Sequence, residues 1–172
     1  IEKMVGKHMG ASAKKGITYR WIPNHLQDAG GRIAPRSFLK LFTLAAERRK
    51  KDTPFPEEKL LQPSDLQGAL MDTSEDRIIE LQEEYPWLES LKDSFAGLNA
   101  PIPKEDFLKA IESTQWSEKP EKRPPATKPE EILRYLLQLG VVKSRLDGRS
   151  NMPEIYLYSF QVQRKGGVKR SK

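Results

Sequence analysis

"KPEEILRYLLQLGVVKSRLDGRSNMPEIYLYSFQV", Lys128 to Val162, is the stretch on which the fold turns. Its first part carries the punctuation of a helix. Pro129 stands near the start, Glu130 and Glu131 fall in the first turn, and Gly140 supplies the stop. "VVKSRL" then reads as a strand, "DGRSNMP" as a turn and "EIYLYSFQV" as a second strand. In that second strand Tyr156, Tyr158, Phe160 and Val162 alternate on one face, with Ile155 and Leu157 on the other. A helix feeding a terminal β-hairpin is expected.

The preceding residues supply more helices. "KEDFLKAIES" follows an extended "PIP", and "QWSEKPEKRPPATKP" is a proline-rich loop. Upstream, Ser64 and Gln67 have capping-box spacing for a short helix to Leu70, and Ser74 caps a longer one. That helix carries Ile78, Ile79, Leu81 and Tyr85; Pro86 bends or ends it, and "WLESLKDSFAGL" continues to a stop at Gly97. Pro35 opens another helix, with Phe38, Leu41, Phe42, Ala45 and Ala46 at helical spacing and Arg48-Arg49-Lys50-Lys51 in its last turn. "ITYRWIP" (17–23) reads as a short strand, and residues 1–16 as a glycine- and lysine-rich arm. Several helices before a terminal hairpin is the element order of a winged-helix domain. The expected architecture is mainly α with a C-terminal β-hairpin. A small lid-like helical segment, residues 1–52, precedes a winged-helix-like domain, residues 53–172, with "DTPFPEEKLLQP" as the boundary.

Composition narrows the function classes. Charged residues make up 31% of the 172 and cysteine is absent, which removes disulfides and thiol chemistry. No apolar run reaches the length of a membrane span or a signal peptide, so a cytoplasmic location is the default expectation. The net charge of +6 is unevenly spread. Residues 1–51 hold 12 basic and 3 acidic side chains, residues 52–142 hold 10 and 19, and residues 143–172 hold 8 and 2. The first and middle blocks should attract each other or different partners.

Catalytic motifs fail one by one. Gly6-Lys7 lacks the earlier glycine of a phosphate loop, and His8 stands where Ser or Thr would hold magnesium. His8 and His25 lack the ligand spacing of a metal site, and His25 beside Trp21 fits local hydrogen bonding better. The segment is expected to catalyse nothing by itself. For nucleic acid, the helix before the hairpin offers Arg134 and Gln138 but begins with two glutamates, which argues against major-groove reading. A phosphate surface is better drawn from Lys143, Arg145 and Arg149 in the wing and from Arg164, Lys165, Lys169, Arg170 and Lys172 in the tail.

Two segments carry a resemblance. "TYRWIPNHLQDAGGRIAPRSFLKLFTLAAE" resembles the stretch that closes the nucleotide-binding domain of large bacterial P-loop ATPases of the AAA-like or STAND-like kind. "LGVVKSRLDGRSNMPEIYLYSFQVQRKGGVK" resembles their carboxyl-terminal winged-helix end. The resemblance implies that Arg36, in "APRSF", is a sensor arginine reaching nucleotide phosphates, although Ala34 stands where glycine is usual. It also implies an ATP-binding loop and a magnesium carboxylate upstream of Ile1, in keeping with a chain that begins without Met. The expectation is a non-catalytic regulatory or docking module that couples nucleotide state to a partner protein or to nucleic-acid backbone, alongside the upstream ATPase domain. The alternative is a free-standing winged-helix DNA-binding transcriptional regulator.

Overall fold

A computed structural model describes residues 1–10, 12–51 and 59–164. In chain order the elements are α1 (Glu2–Val5), α2 (Thr18–Leu26), α3 (Pro35–Lys50), α4 (Pro63–Glu84), α5 (Leu91–Phe95), β1 (Asn99–Ala100), α6 (Lys104–Glu112), α7 (Pro129–Gln138), β2 (Lys143–Ser144), β3 (Ser150–Asn151), α8 (Glu154–Leu157) and β4 (Gln163–Arg164). The protein is mainly helical, with two small two-stranded sheets among the described residues.

Helices α3, α6 and α7 form where periodicity and punctuation agree. In α3 the residues Ser37, Leu41, Ala45 and Arg49 recur every fourth position and are buried. That face lies on the 22-residue α4, whose Leu66, Leu70 and Ile78 are almost wholly buried. Each such side chain contributes about 1.5–3 kcal/mol by leaving water. A second cluster is aromatic. Phe95 at the end of α5 meets Phe107 of α6 at 4.8 Å and Phe160 at 5.5 Å, joining elements far apart in sequence. Buried residues of α2 and α3 belong to the same hydrophobic cluster as those of α4 to α8.

The extended segment from Asn99 to Ile102 organises the β-structure. At one end β1 pairs in parallel with β4, Asn99 opposite Gln163. At the other, Ile102 exchanges backbone hydrogen bonds with Ser150 at 2.7 and 2.8 Å. β3 continues into an antiparallel hairpin with β2.

Four expectations need correction. The hairpin is present but short, and its return strand ends at Asn151 rather than running through Val162. Pro153 caps α8 instead, and Glu154 occupies its first turn. Ile155, Tyr156, Leu157, Phe160 and Val162 are all buried, because α2 and α4 cover this segment. The face opposite the aromatics mixes Ile155 and Leu157 with Ser159 and Gln161, and of these only Gln161 is exposed, so the alternation does not separate core from solvent. "ITYRWIP" is helical, with Thr18, Ile22 and Leu26 buried at a spacing of four. Pro23 opens the last turn of α2, where it forgoes a hydrogen bond to the Tyr19 carbonyl.

The two helices expected between Ser64 and Tyr85 are one. Its true capping box joins Gln62 and Asp65. Thr73 and Ser74 do not interrupt it, since Thr73 Oγ1 donates to the Ala69 carbonyl at 2.8 Å and Ser74 Oγ donates to the carbonyl of Ile155. Lastly, the amino-terminal arm is anchored. Val5 and Met9 are buried, and Thr18 Oγ1 donates to the Gly6 carbonyl at 2.7 Å.

Candidate functional site

Arg36 sits at the second position of α3, directly after Pro35, and no side chain caps that helix terminus. Its guanidinium is half exposed and faces α4: Nε lies 3.2 Å from Asp76 Oδ2, and Nη1 lies 3.9 Å from Glu83. Lys40, one turn on, reaches the other Asp76 oxygen at 3.2 Å. Arg48 lies 3.6 Å from Asp72 and covers Gly68 so closely that a Cβ there would fall 2.6 Å from its Nε. The two helices therefore run in opposite directions, with a basic row on α3 against an acidic row on α4. The attraction between the first and middle charge blocks is met here.

The electrostatics of this row centre on Asp76. Partial burial works against its charge, yet the Lys40 and Arg36 hydrogen bonds outweigh that cost and hold the carboxyl below its ordinary range. Asp76 in turn raises the Arg36 guanidinium further. Chemically, Arg36 is a cation fixed at a helix amino terminus, with a carboxylate as its present counter-ion. An incoming phosphate would have to replace Asp76 rather than find a free arginine.

The β2–β3 hairpin presents a different picture. β2 holds Lys143, and the tip from Arg145 to Arg149 closes through a backbone hydrogen bond of 2.9 Å. Asp147 gathers both tip arginines, with Arg145 Nε at 3.2 Å and Arg149 Nη2 at 2.7 Å. The Arg149 and Arg145 bonds push the Asp147 carboxyl down to about 2. Leu146 projects wholly into solvent at the tip. Arg164 belongs to β4 and pairs with Glu154 at 2.8 Å. Lys165, Lys169, Arg170 and Lys172 lie outside the described residues. No family model, curated protein or solved structure matches the chain.

Sequence reasoning missed the joint between the α2–α3 loop and the end of α7. Asp28 accepts hydrogen bonds from the Gly30 and Arg32 amides at 2.8 and 2.9 Å, and from Arg32 Nε at 2.9 Å. Its carboxylate lies against Gly140, whose φ of +75° and closeness to Asp28 Oδ2 leave no room for a side chain. The Ala29 amide donates to the Gly140 carbonyl at 2.8 Å. The signal was present in "DAGGR", since an aspartate two residues before glycine is the pattern of a side-chain-closed turn. Beside this joint is a cleft of about 410 Å³ lined by Arg32, Ala34, Arg77, Glu84 and Gln138.

The remaining candidates are structural. His25 Nδ1–H donates to the Trp21 carbonyl at 2.7 Å, and the two rings stack at 4.0 Å. Burial lowers its pKa, which favours the neutral ring. No group of three or more histidine, aspartate or glutamate side chains among the described residues could hold a metal ion. No helix among them is long and apolar enough to cross a membrane.

Proposed function

We propose that the chain is the carboxyl-terminal regulatory and docking module of a P-loop ATPase, with α3 as its lid helix and the segment from α4 onward as a winged helix. The module performs no chemistry; ATP and magnesium would be held by the ATPase domain upstream. The observation that carries the reading is the order of elements around the wing. An extended segment, two helices and a hairpin follow one another, and Ile102 pairs with Ser150 so that the extended segment and the hairpin share one sheet edge. The Arg36 geometry supports the lid assignment, because a half-exposed guanidinium at an uncapped helix terminus is suited to exchanging a carboxylate for a phosphate.

In this scheme Asp76 holds Arg36 when nucleotide is absent. Nucleotide phosphates draw it away, which loosens the α3–α4 row and changes how the wing is presented. The test uses the full-length protein. Arg36→Ala lowers ATP turnover by about tenfold or more, as removal of a charged phosphate contact does, while the melting temperature stays near the parent value. Turnover equal to the parent removes the sensor role.

A further inference from the structure

Between the outer face of α7 and the wing lies a second cleft, of about 390 Å³. Its described walls carry Lys104 from the start of α6, Arg134 from α7 and Arg145 from the wing, opposed among the described residues by the carboxylate Glu130. Lys104 and Arg134 form no ion pair among the described residues. The floor is apolar, formed by Leu133 and Leu137, and Ser144 of β2 adds a hydroxyl on the wing side. Leu146, the residue after Arg145 at the hairpin tip, is fully exposed, so apolar surface lies next to the cleft.

We infer that this cleft docks a short acidic segment of a partner protein, an extended peptide with carboxylates for Lys104 and Arg134 and an aliphatic side chain for the leucine floor. Charge complementarity decides the occupant. Inside the cleft Lys104 and Arg134 face Glu130, while Arg145 is already held by Asp147, so the two cations without an ion pair among the described residues favour a carboxylate-bearing ligand. Glu105 and Asp106 follow Lys104 in the first turn of α6, and Glu131 follows Glu130 in α7, so the sequence neighbours of the cleft are acidic. A nucleic-acid backbone carries a phosphate every few ångströms and needs a longer run of cations than Lys104 and Arg134 supply. No aromatic side chain among the described residues lines the cleft, so these residues form no stacking platform of the kind single-stranded nucleic acid uses. The leucine floor is of no use to a phosphodiester and is what an aliphatic side chain needs.

The inference deepens the docking-module reading by naming the partner's chemistry, but its test does not depend on ATP. The probe is a fluorescein-labelled peptide of alternating glutamate and leucine, titrated by anisotropy with the whole chain; a lysine–leucine peptide and a random-sequence duplex serve as comparisons. The acidic peptide binds, and Lys104→Glu and Arg134→Glu each weaken it by about tenfold, in the range measured for charged interface pairs. Circular dichroism of these exposed-site variants matches the parent. Removing residues 165–172 leaves peptide affinity unchanged. Three results would overturn the inference: no peptide binding at low salt, affinity indifferent to both variants, or duplex binding that Arg134→Glu abolishes while the tail is present. Loss of the inference in any of these ways leaves the effect of Arg36→Ala on turnover as an independent measure of the sensor role.

Discussion

At the scale of single residues, Gly140 is held to glycine by two constraints at once. Its left-handed backbone and its contact with the Asp28 carboxylate act together, since the first disfavours any side chain and the second leaves no space for one. Gly140→Ala should lower stability by about 1–3 kcal/mol, the usual cost of a strained backbone position, measured by urea denaturation; a loss below a few tenths would mean that the joint yields. Asp147 gives a second residue-level expectation. Its carboxyl is depressed, so its contribution to hairpin order is complete above the unfolded carboxylate value of about 3.9 and is lost as pH falls through about 2. An NMR titration should find that carboxyl among the last to protonate, with the Arg145 and Arg149 amide signals moving at the same midpoint.

At the scale of elements, α4 is held from both sides. On the α3 side, Asp76→Asn leaves Arg36 and Lys40 without their shared carboxylate. The expected cost is about 1 kcal/mol or less, because these pairs are half open to water. That cost should vanish in acid once the wild-type carboxyl, itself depressed, has been protonated. On the α8 side, Ser74 donates to the Ile155 carbonyl and also contacts the Ser159 hydroxyl at 3.0 Å, all of it buried. Ser74→Val should cost about 1–3 kcal/mol, since it strands a buried carbonyl, and a thermal melt unchanged within error would contradict this. What could be read from the sequence divides along the same lines. Pro35, Pro86, Pro129, Gly97 and Gly140 mark real boundaries because their backbone limits act locally. The segment from Ile155 to Val162 and the residues Thr73 and Ser74 were misread because tertiary contact decides them. A segment buried on nearly every side has no period that separates core from solvent, and a serine that finds its acceptor 81 residues away does not act as a cap. The same holds for the candidate site. Arg36 was legible as a cation at a helix start, whereas its partner Asp76, 40 positions on, was not.

At the scale of the whole molecule, one hydrophobic cluster runs from the amino-terminal arm to Val162. Its aromatic centre should be indispensable: Phe95→Ala empties a fully buried site between Phe107 and Phe160, and about 3–5 kcal/mol should be lost. The carboxyl end divides sharply. Truncation after Arg164 keeps β4 and the Arg164–Glu154 pair, and the melting temperature should hold. Truncation after Val162 removes both and should lower it; equal melting of the two forms would show that β4 contributes nothing.

The short run from Asn99 to Ile102 has one further consequence. It is a rail gripped at one end by β4 and at the other by β3, the return strand of the β2–β3 hairpin. A pull on β4 along its axis loads the Gln163–Leu98 and Gly97–Gln161 bonds together. Val162 and Phe160, which precede β4, are buried in the helical core, so tension at the carboxyl end is shared between the rail and that core.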